Sequence, residues 1–300
     1  MQWLKYKHRC KYSLGGNKMQ TFKLNNGVEI PVLGFGVFQI PPEETEQAVI
    51  SAIHAGYRHI DTAQAYMNET ETGAGIRNSG VVREEIFVTS KVWIENYGYE
   101  AAKASLDRTL ARLDIGYIDL MLLHQPFNDV YGAWRALEEY LAAGKIRAIG
   151  LSNFTADRVL DVGLYNKVMP AVNQIEINPF HQQQAQVEGL LSEGIVPEAW
   201  GPFAEGKFGI FENPVLAKIG QKYGKSIAQV VTRWLVQRGV VVLAKSTRPE
   251  RMAENLNVFD FELDADDFAQ IAALDVGKSQ IISHTDLAMV RQFKEWVFNV

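Results

Sequence analysis

Asp61 and Tyr66 stand five positions apart in GYRHIDTAQAYMNE, residues 56–69, at the exit of a short apolar run where neither is needed for a core. Lys91 sits near the end of a second such run, IFVTSKV, and His124 ends a third, IDLMLLH. A phenol has a reference pKa of about 10, too high for efficient proton exchange near neutrality. Moving it toward 7 takes roughly 4 kcal/mol of preferential phenolate stabilisation. An ammonium about 4 Å away supplies that order of energy at an effective dielectric near 20. The residue types therefore suggest that Lys91 activates Tyr66 and that Asp61 keeps Lys91 protonated and in place, while His124 orients a substrate oxygen. Singly, each has a plainer explanation: Asp61 as a helix cap, Lys91 as a snorkelling end residue, His124 as a satisfied core histidine. Only convergence on one rim argues for chemistry.

The elements that must bring them together are legible as alternation. Short runs rich in β-branched or large apolar residues occur at 33–37, 59–63, 86–92, 118–124, 148–152, 171–177, 196–200 and 240–245, as expected of strands buried on both faces. Helical spacing fills the gaps: Ala102, Leu106, Leu110 and Leu113 in 99–114, and Trp134, Leu137 and Leu141 in 131–144. Gly144 and Gly239 fall where helices should stop. KLNNGVEIP, with Asn-Gly between short runs, predicts a hairpin ahead of the first barrel strand. The fold class is thus α/β, a single (β/α)₈ TIM barrel with an N-terminal β-hairpin closing its bottom. In such barrels, side chains at the C-terminal strand ends line the active site, which selects the four residues above. A doubly wound sheet would need a nucleotide loop after its first strand. The G-x-G pairs at Gly34–Gly36 and Gly73–Gly75 do not continue as that fingerprint.

Composition narrows the classes of function. The chain has 300 residues, 47% apolar and 22% charged, and a formal net charge of −5, which argues against a broad nucleic-acid surface. Its one cysteine, Cys10, excludes an internal disulfide framework and fits a reducing compartment. No His/Cys cluster has metal-ligand spacing, and no apolar run is long enough to cross a bilayer. Residues 1–18 carry five Lys or Arg and no acid, and read as a basic extension ahead of a barrel domain over 19–300. The expectation is a cytoplasmic monomer whose partner is a small molecule.

Near the C-terminus, AKSTRPERMAENLNVF contains Thr247-Arg248-Pro249-Glu250, the form of a capping box, which predicts a helix start. Arg248, Arg251 and Asn255 would then share one face. Basic groups in a first helical turn oppose the macrodipole, and a phosphate held at the helix N-terminus explains them.

GYRHIDTAQAYMNE, VTSKVW, LLHQP, GLSNF, NQIEINP and AKSTRPERMAEN resemble, in order and spacing, the aldo-keto reductases, over about residues 21–275. EAWGPFAEGKFGIF points to the bacterial branch that includes 2,5-diketo-gluconate reductases. The resemblance implies hydride transfer from NADPH to an aldehyde or ketone, with Tyr66 as general acid, Lys91 and Asp61 as its partners, and His124 aiding orientation. It also implies that Ser152, Asn153 and Gln174 bond the nicotinamide carboxamide and that Trp200 stacks on its ring. Lys245, Ser246, Arg251 and Asn255 are implied at the adenosine 2′-phosphate. Phe38, Trp93 and Gln125 are expected in the substrate pocket, Gln125 standing where the family often has Trp. The tail after Asp275 departs most, in a region that helps such enzymes choose substrates. Two other readings are a non-catalytic NADPH-binding accessory barrel and an aldolase with Lys91 as Schiff-base nucleophile. The latter prefers a neutral amine, which Asp61 would oppose.

Overall fold

The computed structural model describes residues 20–279 and 281–300, so the expected basic extension, residues 1–18, lies outside the described residues. The Asn-Gly signal becomes a hairpin of β1 (Thr21–Lys23) and β2 (Glu29–Pro31), paired antiparallel with Phe22 opposite Ile30. The carboxamides of Asn25 and Asn26 donate to the carbonyls of Pro170 and Arg147, each at 2.9 Å. Both carbonyls lie at the N-terminal ends of barrel strands, so the hairpin closes the barrel floor.

The eight expected strands form a closed parallel barrel. They are β3 (Leu33–Gly36), β4 (His59–Asp61), β5 (Phe87–Val92), β6 (Ile118–Leu123), β7 (Ile146–Ser152), β8 (Val172–Glu176), β9 (Val196–Trp200) and β10 (Val241–Ala244), with β10 pairing both β9 and β3. Outside it run α1 (Pro42–Ala55), α2 (Glu69–Asn78), α3 (Tyr99–Leu113), α4 (Val130–Ala142), α5 (Ala156–Leu164), α6 (Gln184–Ser192), α7 (Pro214–Tyr223), α8 (Ile227–Gln237), α9 (Pro249–Leu256), α10 (Ala265–Ala272) and α11 (Leu287–Glu295). The stripes expected on α3 and α4 face inward: Ala102, Leu106, Leu113, Trp134 and Leu137 are fully buried. Gly144 and Gly239 take φ of +71° and +78°, a region that glycine alone enters without steric cost.

In the two G-x-G pairs, Gly34, Gly73 and Gly75 turn out to be packing positions, whereas a Cβ on Gly36 would meet nothing within 4 Å. Gly34 and Gly36 lie within β3, and Gly73 and Gly75 within α2. A Cβ on Gly73 would stand 1.9 Å from the Leu113 carbonyl oxygen, and one on Gly75 would stand 2.7 Å from Val49 Cβ. The capping box expected at Thr247 does not form. Helix α9 begins at Pro249 with Arg248 in the cap position and no side-chain cap. Proline at the first helical position has no N–H to satisfy and a φ already suited to the helix, so the start moves one residue on. The Ser246 hydroxyl instead accepts the Arg248 N–H at 3.1 Å.

Candidate active site

Strand β4 delivers Asp61, and the one-turn helix after it, Gln64–Tyr66, delivers Tyr66. That turn is anchored on both sides. The Gln64 carboxamide accepts the Trp93 backbone N–H at 2.9 Å and donates to Thr109 Oγ1 at 3.0 Å. Asn68 donates to the carbonyls of Val37 and Ile40 and accepts from Thr62 Oγ1. Asn68 holds the position just before α2, but its side chain ties loops together and does not cap the helix.

Lys91, on β5, is wholly buried. Its Nζ donates to Asp61 Oδ1 at 2.6 Å, to the Thr62 carbonyl at 3.0 Å and to the Tyr66 hydroxyl oxygen at 3.2 Å. All three ammonium hydrogens are thereby used. Burial opposes the charge, but the Asp61 carboxylate, followed by Tyr66, holds the lysine above its usual pKa. The phenol moves in the direction opposite to the one its residue types suggested. Burial raises the Tyr66 pKa, Lys91 opposes, and Asp61 and Glu198 add to the rise. Removing the phenolate from water outweighs one neighbouring cation that is itself paired. Tyr66 is therefore a protonated phenol that accepts from Lys91 and keeps its own O–H to give.

His124 follows β6 and lies edge-on to Tyr66, with ring centroids 5.8 Å apart. Burial, then Lys91 and His284, depress its pKa well below the histidine range, so the imidazole is neutral. Its Nδ1 has no hydrogen-bond partner among the described residues. Phe38 leans on Tyr66 at 4.9 Å and Trp93 on His124 at 5.1 Å. Gln125 accepts at Oε1 from Asn153 at 3.3 Å and pairs with His284 Nε2 at 2.8 Å.

The remaining strand ends fall beside this cluster. Ser152 Oγ donates to the Gln174 carbonyl, and the Gln174 Nε2 donates to Asp61 Oδ2 at 2.9 Å. Asn153 accepts the Trp200 indole N–H at 2.8 Å and donates to the His124 carbonyl. After β10, Lys245, Arg248 and Arg251 are exposed, and among the described residues none of the three forms an ion pair. Asn255 differs from them: it is buried, with its side chain beside the Tyr57 hydroxyl.

The sequence pattern of the Aldo/keto reductase family matches residues 32–276. The chain belongs to the aldo/keto reductase family. It is 45% identical over 256 residues to glyoxal reductase of Bacillus subtilis (strain 168), covering 85% of this chain and 92% of that protein. Over 261 residues it is 40% identical to methylglyoxal reductase DkgA of Escherichia coli (strain K12), covering 86% and 94%. The crystal structure of the Bombyx mori aldo-keto reductase in complex with NADP superposes with a TM-score of 0.84 at 32% identity, covering 93% of this chain and 98% of that one. Among the described residues of this aldo/keto reductase, no helix is long and apolar enough to cross a membrane.

The residues present suit a phosphorylated dinucleotide. Three cations without an ion-pair partner among the described residues flank the N-terminus of α9, and carboxamides and an indole gather at strand ends near Tyr66. Several residues of the reductase site had no signal in the chain. Glu95 accepts the backbone N–H groups of Phe298 and Val300, while Arg108 and Asn96 donate to the Val300 carbonyl. The Trp93 indole donates to the Trp296 carbonyl at 2.9 Å. His284, Phe127 and Phe293 form a three-ring cluster, with His284 stacked on both phenylalanines and the two phenylalanine centroids 5.3 Å apart. The tail thus packs against Trp93 and Gln125, held by residues that no local pattern singles out.

Proposed function

We propose that this reductase uses NADPH to reduce small aldehydes, ketones, dicarbonyls or keto-sugars, with Tyr66 as the general acid. The observation that carries this reading is the 3.2 Å bond from buried Lys91 Nζ to the Tyr66 oxygen. A phenol whose oxygen already accepts a charged hydrogen bond releases its own proton more easily as negative charge develops on a substrate oxygen. The bound cofactor would supply the hydride to the carbonyl carbon. Asp61 keeps Lys91 charged, which also argues against a neutral Schiff-base amine. His124, neutral and beside Tyr66, can donate a hydrogen bond to the same substrate oxygen. Ser152, Asn153 and Gln174 would hold the nicotinamide carboxamide under Trp200, and Lys245, Ser246 and Arg251 the 2′-phosphate, with Asn255 beneath them. Phe38, Trp93 and Gln125 line the approach. The names of the glyoxal and methylglyoxal reductases favour small dicarbonyls.

The test is steady-state kinetics with an NADPH titration on Tyr66→Phe and Lys91→Met. Proton transfer from a positioned acid contributes ~10²–10⁴-fold, so turnover of Tyr66→Phe should fall by at least that much with NADPH affinity kept. Near-normal turnover would make His124 the acid. Loss of cofactor binding together with turnover would mark Tyr66 as structural.

A further inference from the structure

Glu198 lies in the middle of β9, fully buried, and the reduction proposed above gives it no task. A carboxyl there needs a reason, since burying a charge is costly unless it is paired or neutralised. Its surroundings supply one. Gln174 lies beside it in the β8–β9 register and donates from Nε2 to Glu198 Oε2 and to Asp61 Oδ2, each at 2.9 Å. The other Asp61 oxygen meets Lys91, and Lys91 meets Tyr66. One carboxamide therefore links Glu198 to the acid. We propose that Glu198 is a positioning residue for proton transfer: through Gln174 it fixes the Asp61 carboxylate against Lys91, and through that pair the Tyr66 hydroxyl. The inference rests on reading Tyr66 as the proton donor.

The groups facing Glu198 are His59 and Asp61 of β4, Lys91 of β5 and Gln174 of β8, with Val241 beside it on β10 and Tyr66 farther along the chain of contacts. Burial, then the Asp61 charge, raises its pKa to about 8, against opposition from Gln174 and Lys91. His59 Nε2 stands 3.8 Å from Oε1 but offers no positive charge, since burial lowers its pKa to about 3. Burial thus pushes Glu198 toward the uncharged acid at neutral pH. Oε2 accepts from Gln174 and Oε1 has no hydrogen-bond partner among the described residues, which places the proton on Oε1. Ionisation would add a second negative charge beside Asp61 and push the Tyr66 phenol further up, weakening it as an acid.

The experiment follows kcat for glyoxal reduction from about pH 6 to about pH 9 in wild type, Glu198→Gln and Glu198→Leu. Glu198→Leu, which offers Gln174 no acceptor, should lose about tenfold in kcat with carbonyl KM within about twofold, and Glu198→Gln should recover most of that loss. The wild-type fall in kcat centred near pH 8 should be absent in Glu198→Gln. A Glu198→Gln profile matching wild type, or equal losses in the two variants, overturns the proposal. Should Glu198→Gln not fold, infrared spectroscopy on the wild type decides. A carboxylic-acid band should titrate away near pH 8 in step with kcat, and a spectrum without one overturns the proposal. Tyr66→Phe is assayed alongside. Retained turnover there removes the acid assignment itself, whereas an inactive Tyr66→Phe with an unaltered Glu198→Gln profile removes the Glu198 inference alone.

Discussion

Arg251 stands exposed in the first turn of α9, where its charge opposes the helix dipole and no acid pairs with it among the described residues. If it bonds the 2′-phosphate of NADPH, Arg251→Ala should weaken NADPH by about 1.5–3 kcal/mol, the worth of a charged hydrogen bond, and leave NADH almost untouched. Fluorescence titration of both cofactors against both proteins checks this, and equal losses would put the arginine elsewhere. Asn255 belongs to a different environment. It is buried beside the Tyr57 hydroxyl, whereas Arg251 is open to solvent. Residue types alone put Arg251 and Asn255 on one face; burial separates them.

Elements matter here because they transmit position. Helix α2 carries Glu69, which accepts from Ser90 Oγ at 2.7 Å, next to Lys91 on β5. It can lie that close to α3 only because position 73 has no side chain, the nearest obstacle being the Leu113 backbone. Gly73→Ala should therefore cost about 1–3 kcal/mol as an overpacking change. Thermal unfolding reads that loss, and an unchanged midpoint would mean α2 moves freely. The tail is the second such element. Glu95 grips the N–H groups of Phe298 and Val300, so Glu95→Ala should loosen the tail against Trp93 and, if Trp93 lines the substrate pocket as proposed, raise carbonyl KM several-fold. NADPH affinity should stay within about twofold, because binding segments can be mobile while the scaffold persists. A parallel loss of NADPH affinity would show that the tail also orders the cofactor side. The helix spacing of 99–114 was legible because three of its four apolar positions face the barrel. The grip of residue 95 on residue 300 was not, since no local pattern encodes a pairing across 205 positions.

At the scale of the molecule, buried titratable groups set opposite pH slopes. His59 and His284 have pKa values lowered by burial to about 3 and about 4, and His124 well below 6.5. Folded, these rings stay neutral while the unfolded chain protonates, so stability present above about 6.5 is lost as pH falls. Glu198 acts in the other direction. Its folded pKa of about 8 exceeds the ordinary 4.5, so its contribution is full below 4.5 and is lost as pH rises through about 8. Thermal midpoints should peak in the mildly acidic range and fall on both sides, with the alkaline fall reduced in Glu198→Gln. A midpoint that rises steadily to about pH 9 would contradict the neutral-acid assignment.

The sequence by itself determined the eight strands, the hairpin, the alternation of strands with helices, and Tyr66 with the three residues around it. Each of those rests on a local pattern: an apolar run ending in a polar group, or a helical stripe. Tertiary structure alone decided the rest. VPEAW reads as a strand, yet Glu198 acquires meaning only beside Gln174, 24 residues earlier, which in turn reaches Asp61 across 113. The direction of the Tyr66 shift was equally hidden. Charge partners can be guessed from residue types, but desolvation depends on everything that surrounds a group in space, and here it outweighs the cation that the sequence placed beside it.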